Sequence, residues 1–344
     1  MSNLETRPAE RACTAGERPA GVELLSARDV PLGGPRAMSV RRTIPQRQRS
    51  LVGAWCFCDH YGPDDVSRSA GMRVPPHPHI GLQTVSWLFA GEIVHRDSVG
   101  SLVTVRPGEL NLMTAGGGIS HSEESPAGDR PPSLHGVQLW TVLPAADADV
   151  DPHFEHHADL PAAEAGGARV QVFMGSLGVA GARLTSPART YTPLVGAQLD
   201  LPAGGAVELE VDPRFEHALL VDTGDVTLAG DAVPPAALGY VAPGRDRLVV
   251  ASGDAPARAV LIGGVPFDED VLMWWNFVGR THEDIVRARA DWMALVADAD
   301  GAGTRYAPGA SERRFGEVHG YDGGPLRAPD LPDVRLRPRA RPAS

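Results

Sequence analysis

Short apolar runs recur from Val22 to Pro144 and are separated by turn residues. Thr84-Val85-Ser86-Trp87-Leu88-Phe89 partly alternates, and the runs beginning at Leu102, Leu110 and Val137 continue the series. Gly91, Gly100, Pro107-Gly108 and Gly116-Gly117-Gly118 punctuate it. Short strands at near-regular spacing with turn signals predict a β-barrel or sandwich. A second block from Arg169 to Pro266 repeats the pattern, with apolar runs at Arg169–Met174, Val207–Val211, Ala218–Asp222, Val226–Leu228 and Val260–Ile262. Each block carries a strand, a turn at Gly91 or Gly224 and another strand, so the two read as a degenerate internal repeat.

The periodicity changes once. Ile285, Ala288, Trp292 and Leu295 recur at helical spacing, with Thr281 as the cap and Asp284 three residues on as its capping-box partner. The predicted organisation is therefore a disordered arm over 1–20 and a first β domain over 21–145. A linker follows over 146–167, rich in Ala, Asp, Pro and Gly. A second β domain, expected to hold no metal, occupies 168–300 with its packed helix, and an extended or disordered tail occupies 301–344.

Composition narrows the picture. A chain of 344 residues suits two domains, and its 39 Gly and 31 Pro favour strands and turns over long helices. The formal net charge of −11 argues against direct nucleic-acid binding. The short Arg41, Arg42, Arg47 and Arg49 cluster, broken by Pro45, reads as a solvated strand and loop. Cys13, Cys56 and Cys58 are odd in number and do not describe a disulfide framework. Neither an apolar leader nor an apolar run long enough to span a bilayer is visible, so a cytoplasmic protein without membrane contact is expected.

The chemistry concentrates in two strand-borne pairs. Residues two apart on a strand share a face, so His77 and His79 can point into one barrel interior. Pro75, Pro76 and Pro78 keep this stretch extended. His121 and Glu123 form a second pair, 41 residues after His79. Three imidazoles and a carboxylate suit one divalent ion of iron(II), manganese, nickel, copper or zinc rather than calcium or magnesium. Four protein ligands would leave two positions open on a six-coordinate ion, as a catalytic site requires. Gly116-Gly117-Gly118 lacks the Lys-Ser/Thr of a phosphate cradle and reads as a close-packed turn that brings His121 to the metal.

These motifs, with HPHIGLQTVSWLFAGEIVHRDSVG, RPGELNLMTAGGGISHSEES, LHGVQLWTVLP, CDHYGP and WWNFVGRTHEDI, resemble the pirin family over about Val22 to Trp292. The resemblance implies an all-β fold of two tandem cupin barrels, with the metal in the first barrel on His77, His79, His121 and Glu123. Iron(II) is the metal it favours. One position departs from the wider cupin pattern, which has Glu where this chain has Gln83; an altered hydrogen bond near the metal is the expected consequence.

The family resemblance implies a dioxygenase of the quercetin 2,3-dioxygenase type, opening a flavonol ring with O2. Glu123 would be ligand or base, and Trp87, Phe89, Met113 and Trp140 would be apolar walls for the aromatic substrate. The rival expectation is a redox-sensing regulatory protein, in which the iron changes affinity for a protein partner without turnover. His60, His95 and His135 read first as structural histidines, and His153, His156 and His157 as part of a solvated loop.

Overall fold

The computed structural model describes residues 11–13, 21–32, 38–69, 71–128, 130–299 and 303–338. Apart from the strand Arg11–Cys13, the predicted N-terminal arm lies outside the described residues.

The first domain is a sandwich of two antiparallel sheets, and the period-2 alternation of its strands decides what each face holds. Seven strands form one sheet, in the order His153–His157, Leu110–Thr114, Leu82–Ala90, Ser133–Val142, Trp55–Asp65, Met38–Ile44 and Arg28–Leu32. Four strands form the other: Arg73–His79, Ile119–Glu124, Ile93–Asp97 and Leu102–Val105. On Leu82–Ala90, even-numbered residues face the four-stranded sheet and odd-numbered residues face the second domain. Thus Ser86 reaches Glu123, while Trp87 stacks on Phe173 at 4.7 Å and donates to Gln198 Oε1 at 2.7 Å.

The second domain is a barrel whose strands belong to one twelve-stranded sheet, filled by Val, Leu and Ala from alternating positions. The two cupin barrels are not separate beads. One apolar cluster runs through both, from Trp55, Trp87 and Trp140 to Phe173, Ala218 and Ile262. Trp55 donates its indole N–H to the Gly263 carbonyl at 3.1 Å. The early strand Glu23–Leu25 pairs with Leu238–Val241 of the second barrel, so the chain enters the far barrel before building the near one.

Residues 146–167 are more ordered than a linker. His153–His157 is an edge strand paired with Leu110–Thr114, and Ala162–Ala165 pairs with Ala168–Val179. An edge strand with one wet face needs few large apolar residues, which is why composition suggested a loop.

The predicted helix spans His282–Met293, closed by the predicted box: Thr281 Oγ1 accepts from the Asp284 amide and Asp284 Oδ2 accepts from the Thr281 amide. Ile285, Ala288, Trp292 and Leu295 are buried. The tail over 303–338 is mostly extended, yet it packs. Phe315, Ala328 and Leu336 join the helix in one cluster, and the Leu326 amide donates to the Pro76 carbonyl beside His77 at 2.8 Å.

Candidate metal centre

His77 and His79 lie on Arg73–His79, and His121 and Glu123 on its neighbour Ile119–Glu124, where His121 stands directly opposite His77. Their spacing of two puts His121 and Glu123 on one face, and the register shift opposite them comes from an extra residue on Arg73–His79. The turn before this strand needs glycine. Gly116 has φ +49°, and a Cβ there would lie 1.8 Å from the Val150 carbonyl oxygen. The predicted role of this glycine run, delivering His121, agrees with that geometry.

The three imidazoles meet. His77 and His121 ring centroids are 4.3 Å apart, and each lies 5.0 Å from His79. All four predicted ligands have 0% exposure. Burial pushes His77 down to about 3. Burial, reinforced by the neighbouring imidazoles, holds His79 and His121 well below the usual histidine range. The rings are therefore neutral, the state in which imidazole ligates metal.

Hydrogen bonds fix which nitrogen is free. His77 Nδ1 donates to the Pro75 carbonyl at 2.8 Å and His79 Nδ1 to the Asn276 carbonyl at 3.2 Å. Asp97 Oδ2 accepts from His95 Nε2 at 3.1 Å. That leaves His95 Nδ1 as an acceptor, and it faces His121 Nδ1 at 3.4 Å. In each ligand Nδ1 then carries the proton and Nε2 keeps its lone pair. His77 Nε2 is buried without a partner. His79 Nε2 and His121 Nε2 face each other at 3.1 Å, close to the separation of about 3 Å between adjacent ligands of an ion about 2.1 Å from each. Buried lone pairs in this arrangement need a cation, so the donor set fits a transition metal.

Glu123 lies beside His121 and His95, with ligand atoms of the three within 4.8 Å of one another. Its Oε1 accepts from Ser86 of the opposite sheet at 3.0 Å. Tyr61 stands near: burial first, then the negative charge of Glu123, push its phenol well above its ordinary value, so it keeps its proton.

The four expected pocket residues separate. Trp140 lies edge-on to His79 at 5.2 Å and stacks on Phe57 at 4.0 Å, and Met113 is on the same inward face in the main core. Trp87 and Phe89 are odd-numbered on their strand and face the second barrel instead, Phe89 lying 5.0 Å from His135. Gln83 shares that outward parity. Its amide donates to Thr114 Oγ1 at 3.0 Å and to the Arg189 carbonyl at 3.1 Å, and its carbonyl accepts from Thr141. It makes none of its hydrogen bonds to the metal ligands, contrary to the expected effect near the metal.

Sequence reading missed the residues that orient the ligands. Asn276 acts through its main chain, in the turn of the hairpin Val271–Trp274 and Phe277–Gly279, where Trp275 adopts φ +54°. His95 and Asp97 are another same-face pair two residues apart, a signal equal in kind to the one that found the ligands.

Family models agree with this architecture. The pirin model matches residues 37–141, and the pirin C-terminal cupin domain model matches residues 196–296. The chain belongs to the pirin family. Over 96% of this chain and 98% of the relative, it is 39% identical to a Pseudomonas aeruginosa protein named "Putative quercetin 2,3-dioxygenase PA1205". It is 37% identical to a pirin-like protein of Caulobacter vibrioides, over 74% of this chain and 88% of that one. A crystal structure of a quercetin 2,3-dioxygenase from Acinetobacter baumannii superposes with a TM-score of 0.81 at 35% identity, covering 93% of this chain and 98% of that chain. No helix among the described residues is long and apolar enough to cross a membrane.

Proposed function

We propose that this pirin is a metal-dependent dioxygenase that opens the ring of a flavonol or similar enolic aromatic at a site built on His77, His79, His121 and Glu123. The observation that carries the reading is the convergence of three buried, neutral imidazoles with their Nε2 lone pairs freed by Nδ1 hydrogen bonds. Iron(II) is the proposed ion. When bound, it supplies Lewis acidity toward the substrate hydroxyl and one-electron chemistry toward dioxygen.

The remaining work falls to the chain. Glu123 accepts the proton of the enolic hydroxyl, and Ser86 holds the carboxylate in place for that transfer. Tyr61 stays protonated beside it and can donate to the charge that develops on substrate oxygen. Trp140 and Met113 line the inward face where a flat aromatic would lie. Support for the substrate class comes from the names of the Pseudomonas and Acinetobacter relatives.

The test is anaerobic reconstitution with iron(II), then quercetin in air, following flavonol absorbance and carbon monoxide. Turnover that His121→Ala abolishes is the expected result. Stoichiometric iron without flavonol turnover would refute the proposal in favour of a redox-linked regulatory protein.

A further inference from the structure

A second convergence of ligating atoms lies outside this centre, on the opposite face of the seven-stranded sheet. His60 and His135 come from neighbouring strands of the first barrel, and Asp222 from the strand Glu216–Thr223 of the second. All three are buried. Asp222 Oδ1 is 2.7 Å from His60 Nε2 and 2.7 Å from His135 Nε2, and the two nitrogens are 3.3 Å apart. This triangle has the scale of the facing Nε2 atoms in the first centre, 3.1 Å apart. A point about 2.1 Å from all three atoms exists about 1.2 Å off their plane, the distance imidazole and carboxylate ligands keep from a zinc-class ion.

We propose that His60, His135 and Asp222 form a second divalent-metal site that pins the two barrels together. Two imidazoles and one carboxylate select a first-row transition ion over calcium or magnesium. Arg258 Nη1 stands 3.4 Å from the other oxygen, Oδ2, and Arg258 is itself held by Asp200 at 3.0 Å, so Oδ1 is turned toward the histidines. Arg41 Nη2 is 3.3 Å from both ring nitrogens of His60. Arg41 Nε also donates to His60 Nδ1 at 3.4 Å, a long bond that yields when Nδ1 takes the proton and Nε2 turns its lone pair to a metal. Phe89 closes a side, 5.0 Å from His135 and 6.3 Å from His60. One guanidinium against the carboxylate and another beside His60 weaken the hold on a cation, so this site fills after the first. The competing arrangement is a plain hydrogen-bonded clamp, both imidazoles donating to Oδ1. The two differ in whether metal is retained.

The experiment removes the first centre with His77→Ala/His121→Ala and titrates the protein with cobalt(II) and zinc(II), reading visible absorption and elemental stoichiometry after desalting. About one equivalent retained, falling at least tenfold when Asp222→Asn is added, is expected. A folded double variant that retains less than about a tenth of an equivalent, or whose retention Asp222→Asn leaves unchanged, overturns the proposal. If the double variant does not fold, the wild-type chain decides. Two zinc equivalents falling to one in Asp222→Asn support the site, and a wild type that never exceeds one equivalent overturns it.

Discussion

His95 faces His121 through paired Nδ1 atoms 3.4 Å apart, and Asp97 dictates which of the two carries the proton. Asp97 Oδ1 is in turn fixed by the amides of Val99 and Ser101 at 3.1 and 2.9 Å. A three-membered relay thus sets the tautomer of His121, a proposed metal ligand, from a tight turn.

Weakening that relay should weaken the metal. Asp97→Asn keeps the shape but loses the charge that favours the Nε2–H tautomer of His95. Metal affinity, measured by competition with a chromophoric chelator, should fall about 10- to 100-fold while the fold is retained. Unchanged affinity would show that His121 is oriented by other means.

Gln83 should tolerate no carboxylate. Glutamate there has no N–H for Thr114 or the Arg189 carbonyl and places a buried charge against that carbonyl. Gln83→Glu should cost about 2–4 kcal/mol in denaturant unfolding. Metal stoichiometry should stay that of wild type, because the residue lies on the face away from the ligands.

Acid should destabilise the second barrel through His217, which burial pushes down to about 4. In the unfolded chain this group titrates near 6.5, so between 6.5 and 4 the unfolded state binds the extra proton and stability falls as pH falls. The loss approaches about 3 kcal/mol at most. His217→Gln should flatten the pH dependence of unfolding across that window, and an identical slope would exclude His217 as its source.

Trp292 ties helix to tail. Its indole N–H donates to the Leu326 carbonyl at 2.7 Å and its ring packs edge-on to Phe315 at 5.7 Å. Trp292→Ala should cost about 3–5 kcal/mol and speed limited proteolysis within 303–338 ahead of the barrels.

Strand parity explains what the sequence disclosed and what it withheld. His77 with His79, and His121 with Glu123, stand out because a spacing of two guarantees a shared face. The same rule applied from Ser86 places Thr84 and Leu88 with it and sends Gln83, Trp87 and Phe89 to the other side. Choosing pocket residues by aromatic character overlooked that. His95 and Asp97 carried an equal spacing signal but lacked a visible partner until the Ile93–Asp97 and Ile119–Glu124 strands paired. The Asn276 carbonyl had no signal at all, since any residue at that turn position supplies the same atom. The edge strand His153–His157 was hidden by its polarity.

The reach of the frame around His77 and His79 has a consequence for biosynthesis. Both side chains are made early, yet the acceptor that orients His79 belongs to Asn276, and the amide that braces the Pro76 carbonyl belongs to Leu326. A chain still on the ribosome can complete the first barrel's sequence, ligands included, and still lack these parts. On the proposed ligand set, metal acquisition is therefore a property of the finished polypeptide, and a translation product that stops before the Trp275 turn carries all four proposed ligands without the means to aim them.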